Sequence, residues 1–145
     1  MTDHLEIVHH DGYDPGINSL FVPAIKVHGG SSLVFVSGVT AAPVYHDHPH
    51  IASEFDAIPL DAQGQAELVY AHLDQALHAA GCARHHVVVL TRFLTDVAAD
   101  QDVINRLQGA FFGDHLPTST TVEVSRLATD PRLRLEIQAI AVAPD

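Results

Sequence analysis

Three histidines within five residues, His46-Asp47-His48-Pro49-His50, gather ligand chemistry for a divalent metal and acid–base chemistry near neutral pH. In extended backbone this spacing would point all three rings to one side, but Pro49 and the surrounding loop break that pattern. Surface histidines are therefore expected, with no metal and no cofactor. A second group lies in Thr118-Ser119-Thr120-Thr121-Val122-Glu123, where strand alternation puts Ser119, Thr121 and Glu123 on one side and Thr118, Thr120 and Val122 on the other. A third is Arg134-Leu135-Glu136-Ile137-Gln138, with Glu136 and Gln138 on the side opposite the leucine and isoleucine. These rows offer hydroxyls, an amide and two carboxylates. Each carboxylate has a competing use as the partner of Arg134, Arg126 or Lys26 across an interface.

The elements that must carry these residues are legible from periodicity. Leu20 to Val27 and Leu33 to Thr40 are apolar, β-branched runs joined by His28-Gly29-Gly30-Ser31-Ser32, which predicts a hairpin of paired strands. A weaker strand precedes them at Leu5 to His9. From Ala41 to Asp61 the periodicity vanishes among Pro43, Pro49 and Pro59, so the histidines sit on a long loop of the kind that often forms a binding rim. Ala66, Val69, Leu73, Ala76, Leu77 and Ala80 recur at helical spacing over residues 62–80, with Gly81 as the cap.

His86 to Leu94 reads as a buried strand, and Asp100 or Asp102 can open a second helix with Val103, Leu107, Ala110 and Phe111 inward, ending at Gly113. Thr118 to Val124 and Leu133 to Val142 complete the set. In the last strand Leu133, Leu135, Ile137, Ala139 and Ala141 form an apolar row that should lie under the helices. The order predicts one α+β domain over residues 1–145, a mixed, mostly antiparallel sheet with two helices on one face.

Composition bounds the partners. At 145 residues with 47% apolar side chains the chain fits a single core. Its formal charge of -11 repels phosphate backbones and anionic lipid surfaces, which argues against nucleic acid and membrane. The single cysteine, Cys82, allows no intrachain disulfide, and no apolar run is long enough to span a bilayer, so a cytoplasmic location is expected.

Leu33-Val34-Phe35-Val36-Ser37-Gly38, Thr91-Arg92-Phe93-Leu94-Thr95-Asp96, Asn105, Phe111-Phe112-Gly113-Asp114-His115, Pro117 to Val124 and Leu135 to Val142, taken in order, resemble the Rid family, also called YjgF-type or reactive intermediate deaminases. The resemblance implies a chorismate-mutase-like fold and a homotrimer whose clefts, between subunits, take a small-molecule metabolite. It also implies hydrolysis of a 2-imino acid in the deaminase members, with an arginine gripping the carboxylate and a glutamate serving the attacking water. Here Ser119 stands at the arginine's position and Gln138 at the glutamate's, Phe21 at that of an aromatic hydroxyl, and Thr121 where cysteine or threonine is usual.

A serine cannot supply the charge-assisted, two-pronged contact of a guanidinium, and an amide has no proton to exchange near neutral pH. The expected function is thus action on a small enamine, imine or related unsaturated metabolite, as hydrolytic deaminase or tautomerase, by another arrangement than the standard one. A trimeric metabolite-binding protein without turnover is the alternative, and the family's ribonuclease label sits poorly with the charge. The candidate catalytic set is Ser119, Gln138, Thr121, Glu136 and Glu123. Candidate substrate contacts are Phe21, Ser37, Gly38, Thr120, Asn105, His46 and His48, the histidines reaching over the cleft from the loop.

Overall fold

The computed structural model describes residues 4–8, 11, 14–16 and 24–144. Its elements are β1 (Leu5–Val8), β2 (Ala24–Val27), β3 (Ser31–Val39), α1 (Ala62–Ala79), β4 (Val87–Leu94), α2 (Val97–Phe112), β5 (Thr118–Glu123) and β6 (Leu135–Pro144). Short 3-10 turns occupy Ala52–Phe55 and Arg84–His86. A four-stranded sheet runs in the order β3-β6-β4-β5, antiparallel except for the parallel pair β4/β5. Both helices pack on one face of it, as the α+β reading requires. Among the described residues no helix is long and apolar enough to cross a membrane.

The alternation in β6 sets the layers. Leu135, Ile137, Ala139 and Ala141 are buried beneath the helices against Val69, Leu73, Leu77, Leu90 and Ile104, so one apolar row closes the main core. The opposite face carries Leu33 and Phe35 at 61% and 72% exposure, with Val89 and Val122 also exposed.

Three expectations change. The hairpin of β2 with β3 does not form: β2 pairs with β1, and β3 pairs with β6 across the sheet. Gly30, at φ 83, turns the chain between the two sheets instead of closing a ladder. The second helix begins at Val97 with Asp96 as its cap, the carboxylate accepting from the Ala99 amide at 3.0 Å. Asp100 is drawn inward instead, 4% exposed, where Arg134 donates to it from Nε at 2.8 Å and Nη2 at 2.9 Å. Its inner row is therefore Asp100, Ile104, Gln108 and Phe112, with Val103, Leu107 and Phe111 beside it and Ala110 exposed.

The 41–61 loop is not loose. Ala41, Ala42, Phe55 and Ile58 form a second small core with Leu127 and Leu133, flanked by Leu68, Phe93 and Val124. Arg132 clamps it from β6's approach, donating to Asp56 at 3.0 Å, to the Ala52 carbonyl at 3.3 Å and to Asp130 at 2.9 Å.

Candidate functional site

At the β3 edge the register slips between Val36 and Val39, and the slip places Ser37 and Gly38 in a bulge. Gly38 is required there. A Cβ on it would fall on the Glu136 carboxyl group, with the carboxyl carbon only 2.9 Å away. The bulge opens a cavity of about 680 Å³, lined by Ser37, Gly38, Glu136 and His46 together with His72 and Gln75 from α1. Glu136 is half-buried, and burial raises its carboxyl above the usual carboxylate range. His72 is oriented by donating Nδ1–H to the Thr40 carbonyl at 2.8 Å, and His46 by donating Nδ1–H to the Pro43 carbonyl at 2.8 Å. Both keep an Nε2 lone pair for other work.

The opposite edge, β5, is built around a residue that pattern reading passed over. Arg92 on β4 is 6% exposed and points under α2. Its Nε donates to Thr121 Oγ1 at 2.8 Å, and its Nη1 donates to Asn105 Oδ1 at 2.8 Å and Gln108 Oε1 at 3.0 Å. Tyr70 from α1 donates to the same Gln108 oxygen at 3.1 Å. Among the described residues no carboxylate pairs with this guanidinium. Desolvation pulls the Arg92 pKa below its ordinary value and pushes the Tyr70 phenol well above its own, so the phenol stays neutral beside the cation. The signal in the sequence was a lone charged residue, Arg92, inside a strand otherwise apolar except for Thr91, Val87 to Leu94.

The sequence-derived candidates divide between these edges. Ser37, Gly38, Glu136 and His46 share the β3 cavity. Thr121 and Asn105 join the Arg92 network, so the Asn105 amide ties α2 to β4. Ser119 lies on the same side by alternation, opposite the buried Leu90. The hydroxyl row of β5 therefore faces α2, not the open side of the sheet. Thr120 is exposed on that open side. Gln138 is exposed there too, opposite Thr91, so within one chain it lies on the other face from Ser119.

Within the chain Glu123 pairs with no cation among the described residues. It accepts from the Val97 amide at 2.9 Å and so satisfies a free donor at the start of α2. Phe21 lies outside the described residues. His48 does not line the cavity but packs against His46 and His50, ring centroids 4.8 Å from each. The expectation that Pro49 would scatter these rings is not met, because Phe55 gathers them: its ring stands edge-on to His46 at 5.1 Å and to His50 at 5.5 Å.

Comparison with known proteins places this geometry. The family described as Endoribonuclease L-PSP matches residues 16–143. The Escherichia coli K12 protein described as "Putative reactive intermediate deaminase TdcF" is 32% identical over 131 residues, covering 88% of this chain and 90% of that one. Among solved structures, the Rid-family protein YyfB of Yersinia pestis superposes with a TM-score of 0.76 at 22% identity over 95% of this chain and 98% of that one. The Escherichia coli YjgF gene product does so with a TM-score of 0.62 at 28% identity, covering 76% and 80%. A match across nearly the whole chain, in a fold of two helices on one mixed sheet with a cavity at its bulged edge, makes this protein a member of the Rid family, also called the YjgF family.

Proposed function

We propose that the protein acts on a small imine, enamine or related unsaturated metabolite in clefts formed where the β3 edge of one subunit meets the β5 edge of another in a homotrimer. One observation carries this reading: the two chemically complementary halves lie on opposite faces of the same sheet. Glu136, opposite Phe93, projects from the open face beside the β3 bulge, whereas Ser119 and Thr121 turn toward α2, so one small ligand cannot touch both within a chain. A second copy can supply the missing half. The exposed Leu33, Phe35, Val89 and Val122 give the open face apolar surface for such an association. The relative described as a reactive intermediate deaminase supports the substrate class.

In this cleft Glu136 replaces the proton-accepting role that Gln138 cannot fill. Its raised pKa suits it to take a proton from water as the oxygen adds to the C=N carbon. That proton passes to nitrogen to give a neutral carbinolamine, and transfer of the added hydroxyl's proton to the same nitrogen then breaks the C–N bond, releasing ammonia and leaving a carbonyl. The β5 edge holds the ligand's anionic end: Thr121, whose oxygen accepts from Arg92, has its own hydrogen free to donate, and Ser119 stands beside it. The buried cation polarises that hydroxyl without itself lying at the surface. A chain of -11 charge remains a poor fit for RNA cleavage.

The test is ammonia release from 2-imino acids and enamines generated in situ, with light scattering for assembly. Turnover that falls by about 100-fold or more in Glu136→Gln while the trimer persists supports the reading. A monomer at assay concentration overturns the shared cleft. Ligand binding with no turnover in either protein would instead establish the second reading, a metabolite-binding trimer, which Ser119 and Gln138 favour by standing where catalytic groups are usual.

A further inference from the structure

We propose that His46, His48 and His50 form a binding site for a divalent transition metal ion of the zinc type, held at the rim of the β3-edge cavity. One ring nitrogen from each residue lies within 4.8 Å of the others. Tetrahedral coordination at Zn–N distances near 2.0–2.1 Å would set such nitrogens roughly 3.4 Å apart. Small side-chain rotations close that difference, and two of the three residues are exposed and free to make them.

The surroundings are those of a ligand set and not of three surface rings. His46 donates its Nδ1–H to the Pro43 carbonyl, which fixes the tautomer and turns the Nε2 lone pair outward, the usual second contact of a metal-bound imidazole. His48 and His50 form no hydrogen bond with any described residue, so their nitrogens are uncommitted. Phe55, 1% exposed and rooted in the second core, buttresses two of the three rings. In the same loop Glu54 has a carboxylate oxygen buried without a partner, while its other oxygen accepts from the Asp47 amide at 3.3 Å. A cation among the histidines would balance that charge, and a chain of -11 concentrates cations around itself.

Three imidazoles and no fourth protein ligand describe an open site. His46 also lines the cavity that holds Glu136, so the open position borders the space where a ligand would sit. An ion there can act as a Lewis acid toward an oxygen or nitrogen of a small molecule. Metal binding does not depend on the cleft or the trimer, and its test reads metal alone.

The experiment uses the full chain without a histidine tag, stripped with chelator and titrated with Zn²⁺ by calorimetry, with metal content read by mass spectrometry. One ion per chain is expected, with affinity weakened about 100-fold or more in His46→Ala/His48→Ala/His50→Ala and unchanged in His78→Ala, an exposed residue of α1. Cobalt-loaded protein should show visible absorption that the triple variant lacks. If the triple variant misfolds by circular dichroism, His48→Ala takes its place, since that exposed residue has aromatic-ring contacts only with His46 and His50 among the described residues. Equal binding by wild type and a folded variant, or no binding by wild type, overturns the proposal.

Discussion

The β3 and β5 edges of one sheet solve opposite electrostatic problems. Beside β3 the Glu136 carboxyl group, carried on β6, is held half out of water with no cation partner among the described residues, and its pKa rises in response. Beside β5 the Arg92 guanidinium, carried on β4, is taken almost wholly out of water with no anion partner among the described residues, and neutral oxygens from Thr121, Asn105 and Gln108 satisfy it. The first arrangement leaves a carboxyl group that holds its proton more tightly than an exposed one. The second fixes a charge permanently. On the proposed reading the first group moves protons and the second holds a negative end of a ligand.

The comparison breaks most visibly at Arg92. Arg92→Met should cost about 3 kcal/mol in urea denaturation, because Asn105, Gln108 and Thr121 lose a shared donor in a buried place. An unchanged midpoint would mean that these oxygens are served by water. Gly38→Ala should cost about 2 kcal/mol and displace Glu136, since the new methyl meets its carboxyl group in a packed bulge. Retention of full stability there would show that Glu136 swings freely and that its burial is incidental.

Glu123→Ala tests whether a β5 carboxylate is structural. Loss of the bond to the Val97 amide predicts about 1 kcal/mol of destabilisation, and turnover at saturating substrate should be kept. The smallest effect is a difference in pH profile. Because the folded-state pKa of Glu136 is raised, its protonated form favours folding. That contribution is present below the unfolded value and lost as pH rises through the folded one. Glu136→Gln should therefore gain stability relative to wild type as pH rises from acid toward neutral, and parallel melting curves across that window would argue against the burial.

Most of the fold was readable because it rests on periodicity: the β6 row from Leu135 to Ala141, the α1 repeat through Leu77 and its Gly81 cap lie where spacing puts them, while Leu133 joins the second core instead and Ala80 is exposed. The pairing of β2 was not, because a glycine-rich connection favours a tight turn but does not oblige the flanking strands to bond to each other. Alternation correctly grouped Ser119 with Thr121 and Glu123, yet it could not say which side of the sheet that group faces. On an edge strand rich in threonine neither row is apolar enough to declare itself the inner one. Arg92 escaped for a related reason. Its role comes from acceptors 13, 16 and 29 residues away, Asn105, Gln108 and Thr121, and no local pattern announces them.

The small core beneath the 41–61 loop has a kinetic consequence. Phe55 and Ile58 already anchor that segment and Arg132 ties it down, so a ligand or ion arriving beside His46 need not first order a floppy chain. Little ordering entropy is then charged to the encounter. Substitutions in the loop should change how long a bound species stays much more than how fast it arrives.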